Sequence, residues 1–249
     1  MGERMNRTDF RALFGMRAPV VLPVIHVLDT TRTLQNIDVL MKEGAPGCFL
    51  INHDFGVDRF LPIVREVRAA QSDLWMGVNF LGVTGRDAFP QLVALERDGC
   101  RVDAYWADDA RIDERALVQR EAQMIAEARG DWTGLYFGGT AFKKQRPVAE
   151  SDYGRAAKIA CDWMDVVCTS GAATGIEAED AKIATFREAI GEKPLALASG
   201  ITPENAHRYA TVDAFMVATG INYDGNFYDI DRACLRRLLD VAEELGDKT

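Results

Sequence analysis

Polar and titratable residues gather where short apolar runs of this chain end. VVLPVIHVL carries His26 and leads into Asp29, and GCFLIN leads into Asn52, His53 and Asp54. Asn79 sits late in LWMGVNFL, and RVDAYWA, which includes Trp106, is followed by Asp108 and Asp109. Two of the chain's 3 histidines therefore stand beside carboxylates. An imidazole titrates near neutral pH and a carboxylate can orient it, so His26, Asp29, His53 and Asp54 are the candidate acid–base residues. Asn52 and Asn79 would orient polar substrate groups. Lys143, beyond Gly138-Gly139-Thr140, could clamp an anion or form a Schiff base. His207 lies in an amphipathic stretch and reads as a surface residue.

The later runs end differently, in small hydroxyl residues and glycines. Thr169, Ser170 and Gly171, with Thr174 and Gly175, follow the sixth; Ser199 and Gly200 follow the seventh; Thr219 and Gly220 follow the eighth. Such residues let backbone N–H groups approach a phosphate without a Cβ in the way. A bulky side chain at Gly200 is therefore expected to block phosphate and spare the fold. The stretch TGINYDGNFYDID, residues 219–231, leaves room for a short extra helix there. Asp108 or Asp109 could bind a divalent metal or activate a proton, but neighbours on a strand point to opposite faces, so at most one turns inward. No metal cluster and no other cofactor is predicted.

These residues need a frame that brings strand ends together. The first four runs start at Val20, Gly47, Leu74 and Arg101, a spacing of 27 residues each time (20, 47, 74, 101). Four more begin near Trp132, Met164, Pro194 and Ala214. All are continuously apolar, as strands buried on both faces of a parallel sheet must be. Between them IDVLMKEG, FLPIVREVRAA and FPQLVALERDG place apolar residues at i, i+3 and i+4. DERALVQREAQMIAEARG reads as a longer helix stopped by Gly130, and Thr202-Pro203 reads as the start of another. No G-x-G-x-x-G turn follows the first run, which argues against an open dinucleotide-binding sheet. The pattern predicts one α/β domain over 1–249, a (β/α)8 barrel over 19–249 with an extension over 1–18. In such barrels chemistry sits at the C-terminal ends of the strands.

Composition narrows the partners. The 249 residues are 48% hydrophobic and 27% charged, with a net charge of −9. That surplus of negative charge argues against nucleic acid or an anionic membrane as partner. A local anion site built from backbone N–H groups is still allowed. The 5 scattered cysteines form no C-x-x-C pair and read as buried free thiols of a cytoplasmic protein. The segment MGERMNRTDFRALFG lacks the apolar core of a secretory leader. Self-association into a homo-oligomer is expected.

From Gly138 onward the chain resembles the BtpA family of barrel proteins, named for a factor in photosystem I biogenesis. The resemblance is carried by MDVVCTSGAATG (164–175), LALASGITPENAHRY (195–209), AFMVATGI (214–221) and DGNFYDIDR (224–232), with INHDFG (51–56) and GVNFL (77–81) earlier. The chain departs from the family pattern after the first run, where LDTTRT replaces a proline-rich segment. The resemblance implies a barrel with an anion-binding end. The expected function is an enzyme acting by acid–base chemistry on a small phosphorylated metabolite: an isomerase, a lyase or a glycosyl-bond-cleaving enzyme. One alternative is a non-catalytic assembly or regulatory factor, as the family's name implies. A metal-dependent hydrolase is the other.

Overall fold

Eight parallel strands close on themselves in the order of the chain. They are β1 (Val20–His26), β2 (Gly47–Ile51), β3 (Trp75–Asn79), β4 (Ala104–Ala107), β5 (Leu135–Gly139), β6 (Val166–Ser170), β7 (Leu195–Ala198) and β8 (Ala214–Val217). Helices α1 (Arg7–Leu13), α2 (Thr30–Lys42), α3 (Val57–Ala70), α4 (Gly85–Arg97), α5 (Arg120–Arg129), α6 (Tyr153–Ala160), α7 (Asp180–Ile190) and α8 (Arg232–Asp247) complete the frame. This computed structural model describes residues 5–17 and 19–247. The predicted (β/α)8 barrel is the fold observed.

Alternation along each strand divides the core in two. Val20, Leu22, Val24, Phe49, Ile51, Trp106, Phe137 and Met216 fill the barrel, and Val21, Ile25, Cys48, Leu50, Tyr105 and Val167 face the helices. Gly77 leaves room for the Phe49 ring, which would lie 2.3 Å from a Cβ at that position. The predicted extension is not an appendage. Asn6 caps α1 by accepting from the Asp9 N–H, and Phe10 is fully buried against Phe14 and Phe137 in the interior cluster, so α1 plugs the N-terminal end of the barrel.

A repeated ionic device ties that end together. Asp103, Asp165 and Asp213 each precede an even-numbered strand. Each carboxylate accepts the N–H of a residue at the start of the strand before it, Met76, Tyr136 and Leu195 at 2.9, 2.7 and 3.0 Å. Each also pairs with an arginine near the end of the preceding odd-numbered helix, Arg68, Arg129 and Arg187 at 2.7, 2.6 and 2.8 Å. The residue before β2 is Pro46, which breaks the series. Instead Arg7 and Arg11 of α1 join Arg187 on Asp213, at 2.8 and 3.1 Å.

Two predicted helices differ. Residues 113–119 do not extend α5, because Gln119 Oε1 accepts the Asp113 N–H at 2.9 Å and Gln119 Nε2 donates to the Asp113 carbonyl at 2.7 Å. These bonds offer the backbone a local alternative to the helix. After β7, Thr202-Pro203 opens no α-helix. Asn205 accepts the Thr202 N–H at 2.9 Å and donates to the Gly200 carbonyl at 2.7 Å, and only a 3₁₀ turn, Ala206–Tyr209, follows. The extra helix expected after β8 is likewise a single 3₁₀ turn, Thr219–Ile221. The five cysteines are free, with Cys48, Cys100 and Cys168 buried and Cys161 and Cys234 partly so. No described helix is long and apolar enough to cross a membrane.

Candidate active site at the C-terminal face of the barrel

A pocket opens among the C-terminal strand ends. Val24, Ile51, Trp106 and Met216 form its apolar floor; His26, His53, Asp108, Lys143 and Lys144 bring charge and proton chemistry. Thr174, Gly175, Ser199, Gly200, Thr219 and Gly220 line the side made by the last three loops. That mixture of an apolar floor and a few convergent polar groups suits a small ligand.

His26 ends β1, and its Nδ1 lies 2.8 Å from the Phe227 carbonyl. A carbonyl can only accept, so Nδ1 carries the proton, and the neutral ring presents Nε2 as a bare acceptor. The Phe227 ring stacks on the imidazole at 3.7 Å with 7° between planes, and His53 meets it edge-on at 5.2 Å. Burial draws the His26 pKa down to about 4, against the raising effect of the Phe227 hydrogen bond. His53 is lowered for the same reason, with Lys144 adding to the effect. Asp108 projects past β4 on the inward side, where Asn79 donates to it at 3.2 Å. Burial pushes its carboxyl above the usual carboxylate range, against the pull of Lys144 and Lys143. Burial also lowers the Lys143 ammonium; Asp108 opposes that and Lys144 adds to it.

The structure separates the predicted site residues into two groups. His26, His53, Lys143, Thr174, Gly175, Ser199, Gly200, Thr219 and Gly220 converge on the pocket. The others have local work. Asp29 caps α2, accepting the Arg32 N–H at 2.8 Å. Asp54 is exposed and accepts from the Tyr228 hydroxyl at 3.2 Å. Asn52 staples two loops, donating to the Phe55 carbonyl at 2.7 Å and accepting from the Leu81 N–H at 3.0 Å. Thr169 lies on the helix-facing side of β6, with Oγ1 3.4 Å from the Ala141 carbonyl. Ser170 accepts the Lys143 N–H at 2.9 Å, fixing the loop that carries both lysines. His207 is exposed, as expected.

The expectation for Gly200 needs correction. Its φ is +72°, and a Cβ there would lie 2.3 Å from the Glu177 N, so the glycine admits the loop after β6. A Cβ at Gly220 would meet the Ile201 carbonyl oxygen at 1.8 Å, and one at Gly171 the Ile176 oxygen at 2.1 Å. These glycines shape the wall by letting its loops touch. Ser199 precedes Gly200 with a φ of +70°, a strained setting for a side-chain-bearing residue.

Asp108 and Asp109 part as strand geometry requires. Asp109 turns outward and accepts the Arg111 N–H at 2.8 Å, so the two carboxylates do not share one site. Among the described residues no three His, Cys, Asp or Glu side chains gather as a metal cage. Phe227 as the group that sets the His26 tautomer was not assigned that role from sequence; for proton chemistry the sequence offered Asp108 or Asp109, and it is Asp108 that lines the pocket. The inward parity of Trp106 and Asp108 was available as a signal. Phe227 lies 201 residues from His26 and left none.

No family model matches the chain, and no curated protein does. Solved structures do. Phosphoribosyl anthranilate isomerase from Thermus thermophilus aligns over 89% of this chain and 96% of its own, with 16% identity and a TM-score of 0.60. N-(5'-phosphoribosyl)anthranilate isomerase from Pyrococcus furiosus covers 91% and 100%, with 14% identity and a TM-score of 0.64. A structure described as native KDPGal covers 91% and 96%, with 10% identity and a TM-score of 0.63. At these identities the likeness is one of fold, the (β/α)8 barrel.

Proposed function

We propose that this chain is an enzyme acting on a small phosphorylated metabolite by acid–base chemistry at the C-terminal face of its barrel. The observation that carries the reading is His26 and Asp108 in one pocket with their proton affinities displaced toward each other. His26 falls to about 4 and Asp108 rises, both through burial. His26 accepts a proton at Nε2, and Asp108 in its carboxyl form donates one, which suits an isomerase or lyase. Asn79 holds the Asp108 carboxyl in place. The loops after β6, β7 and β8 supply hydroxyls and backbone for the phosphate. Lys144 supplies positive charge beside Lys143, and neither forms an ion pair within 4.0 Å among the described residues. Some such local charge is needed in a chain of net charge −9.

The named isomerases that share the fold act on a phosphoribosyl compound, which supports this choice of substrate class. Kinship with the BtpA family remains part of the proposal and rests on the motifs after Gly138. An assembly factor would need an exposed apolar face, and the large exposed apolar side chains, Leu13, Met41, Leu117, Val118, Ile176 and Tyr223, are spread over five segments.

The test is a thermal-shift screen against sugar phosphates and phosphoribosyl compounds, followed by turnover assays on the hits. A ligand at about 100 times its Kd stabilises the fold by ~2.7 kcal/mol. Asp108→Asn should keep that shift and lose roughly 10²–10⁴-fold in turnover. Full turnover in the variant would remove Asp108 from the mechanism, and no shift with any phosphorylated compound would overturn the substrate class.

A further inference from the structure

We propose that Lys143 is an imine-forming nucleophile, so that the pocket captures carbonyl compounds covalently and holds them opposite His26. In a closed barrel of eight strands in chain order, β5 stands across from β1, so the loop after β5 faces the end that carries His26. Lys143 lines the pocket, partly buried, with Nζ 5.8 Å from the centroid of the Phe142 ring. Partial burial lowers the ammonium's hold on its proton, against the attraction of Asp108 and of the Phe142 ring face, and so raises the share of neutral amine, which is the nucleophile. Its base is fixed. The Lys143 N–H donates to Ser170 Oγ at 2.9 Å, and Lys182 Nζ binds the Ala141 and Ser170 carbonyls at 2.7 and 2.8 Å. Lys182 is thereby occupied as a strut, whereas the Lys143 amine is free to react.

The step balances with groups already in the pocket, and it rests on the acid role proposed for Asp108. The Lys143 nitrogen bonds to the carbonyl carbon while the C=O electron pair moves to oxygen. The nitrogen's surplus proton passes to that oxygen, and the Asp108 carboxyl gives it a second. The C–O bond then breaks, water leaves and the nitrogen lone pair forms the iminium. Amine, carbonyl compound and carboxylic acid thus become iminium, water and carboxylate, and the new carboxylate lies beside the new cation. His26 Nε2, on the far side, is placed to take a proton from the carbon next to the iminium.

The experiment is reductive trapping of the whole chain with sodium cyanoborohydride and, separately, glyoxylate, pyruvate and dihydroxyacetone phosphate, read by intact mass and peptide mapping. One reduced adduct per chain, on Lys143, is expected with at least one probe. Lys143→Arg should lower trapping to the level without probe at an unchanged melting temperature, and Lys158→Arg, exposed on α6, should leave it as in the parent. Mapping on the unsubstituted chain needs no variant to fold. No adduct, a label spread over exposed lysines, or a label on Lys144 or Lys182 would overturn the assignment. A melting shift with sugar phosphates but no trapped adduct removes the imine alone. Trapping with no phosphate shift keeps the imine and removes the phosphate.

Discussion

Protonating His26 should cost this fold stability, and the size of the cost follows from its burial. The ring is 7% exposed, stacked on Phe227 and committed at Nδ1 to a carbonyl, and its pKa is about 4 instead of 6.5. Because the folded pKa is depressed, the unfolded chain binds the proton first as pH falls. The contribution of the neutral ring is whole above about pH 6.5 and is lost progressively toward pH 4. At about 1.36 kcal/mol per pH unit the full loss is ~3.4 kcal/mol, of which ~2 kcal/mol is gone by about pH 5. Carboxylates titrate in part of the same range, so the measurement is a difference. Urea unfolding of the parent and of His26→Asn, whose side-chain amide can still donate toward Phe227, is compared at about pH 7.5 and about pH 5. The parent should lose ~2 kcal/mol more than the variant over that interval. Equal losses would mean that the fold does not depress the His26 pKa, and the buried, carbonyl-bound neutral ring would have to be abandoned.

Two further predictions concern the frame. Asp213 is fully buried against Arg7, Arg11 and Arg187, so Asp213→Asn removes the one carboxylate that these partly buried guanidinium groups share and should cost ~3 kcal/mol in urea unfolding. Asp38→Asn removes an exposed partner of Lys42 and should change stability by less than ~1 kcal/mol; equal costs would refute the view that Asp213 ties the N-terminal end of the barrel together. Gly200→Ala should destabilise by more than ~1 kcal/mol before any ligand is added, from its left-handed φ and the Glu177 backbone 2.3 Å from the new Cβ. A variant as stable as the parent would return Gly200 to a purely ligand-facing role.

Local chemistry carries far in this chain. Strands buried on both faces must be apolar throughout, and helices that pack on them must be striped. The repeated spacing from Val20 to Arg101 therefore announced a barrel, and the barrel announced which end holds the pocket. The place of His26 and His53 in the pocket was legible on that ground alone, as was that of Thr174, Gly175, Ser199, Gly200, Thr219 and Gly220, though not of Thr169, Ser170 and Gly171. Local signals were ambiguous wherever a polar side chain had a backbone group of its own neighbourhood within reach. Asp29 could be a base or a helix cap, Asn52 a substrate ligand or a loop staple, and in each the short-range hydrogen bond prevailed. What only the tertiary structure decided came from residues far apart in sequence. The Phe227 carbonyl selects the His26 tautomer, Asn79 holds Asp108, and Asp213 gathers Arg7 from α1 and Arg187 from α7. Burial is likewise collective: packing from several strands and loops removes water from one imidazole and one carboxyl and moves their proton affinities together. Periodicity reports which face of an element is wet, and that was enough for the fold. The proton chemistry depends on which distant atoms share the dry space.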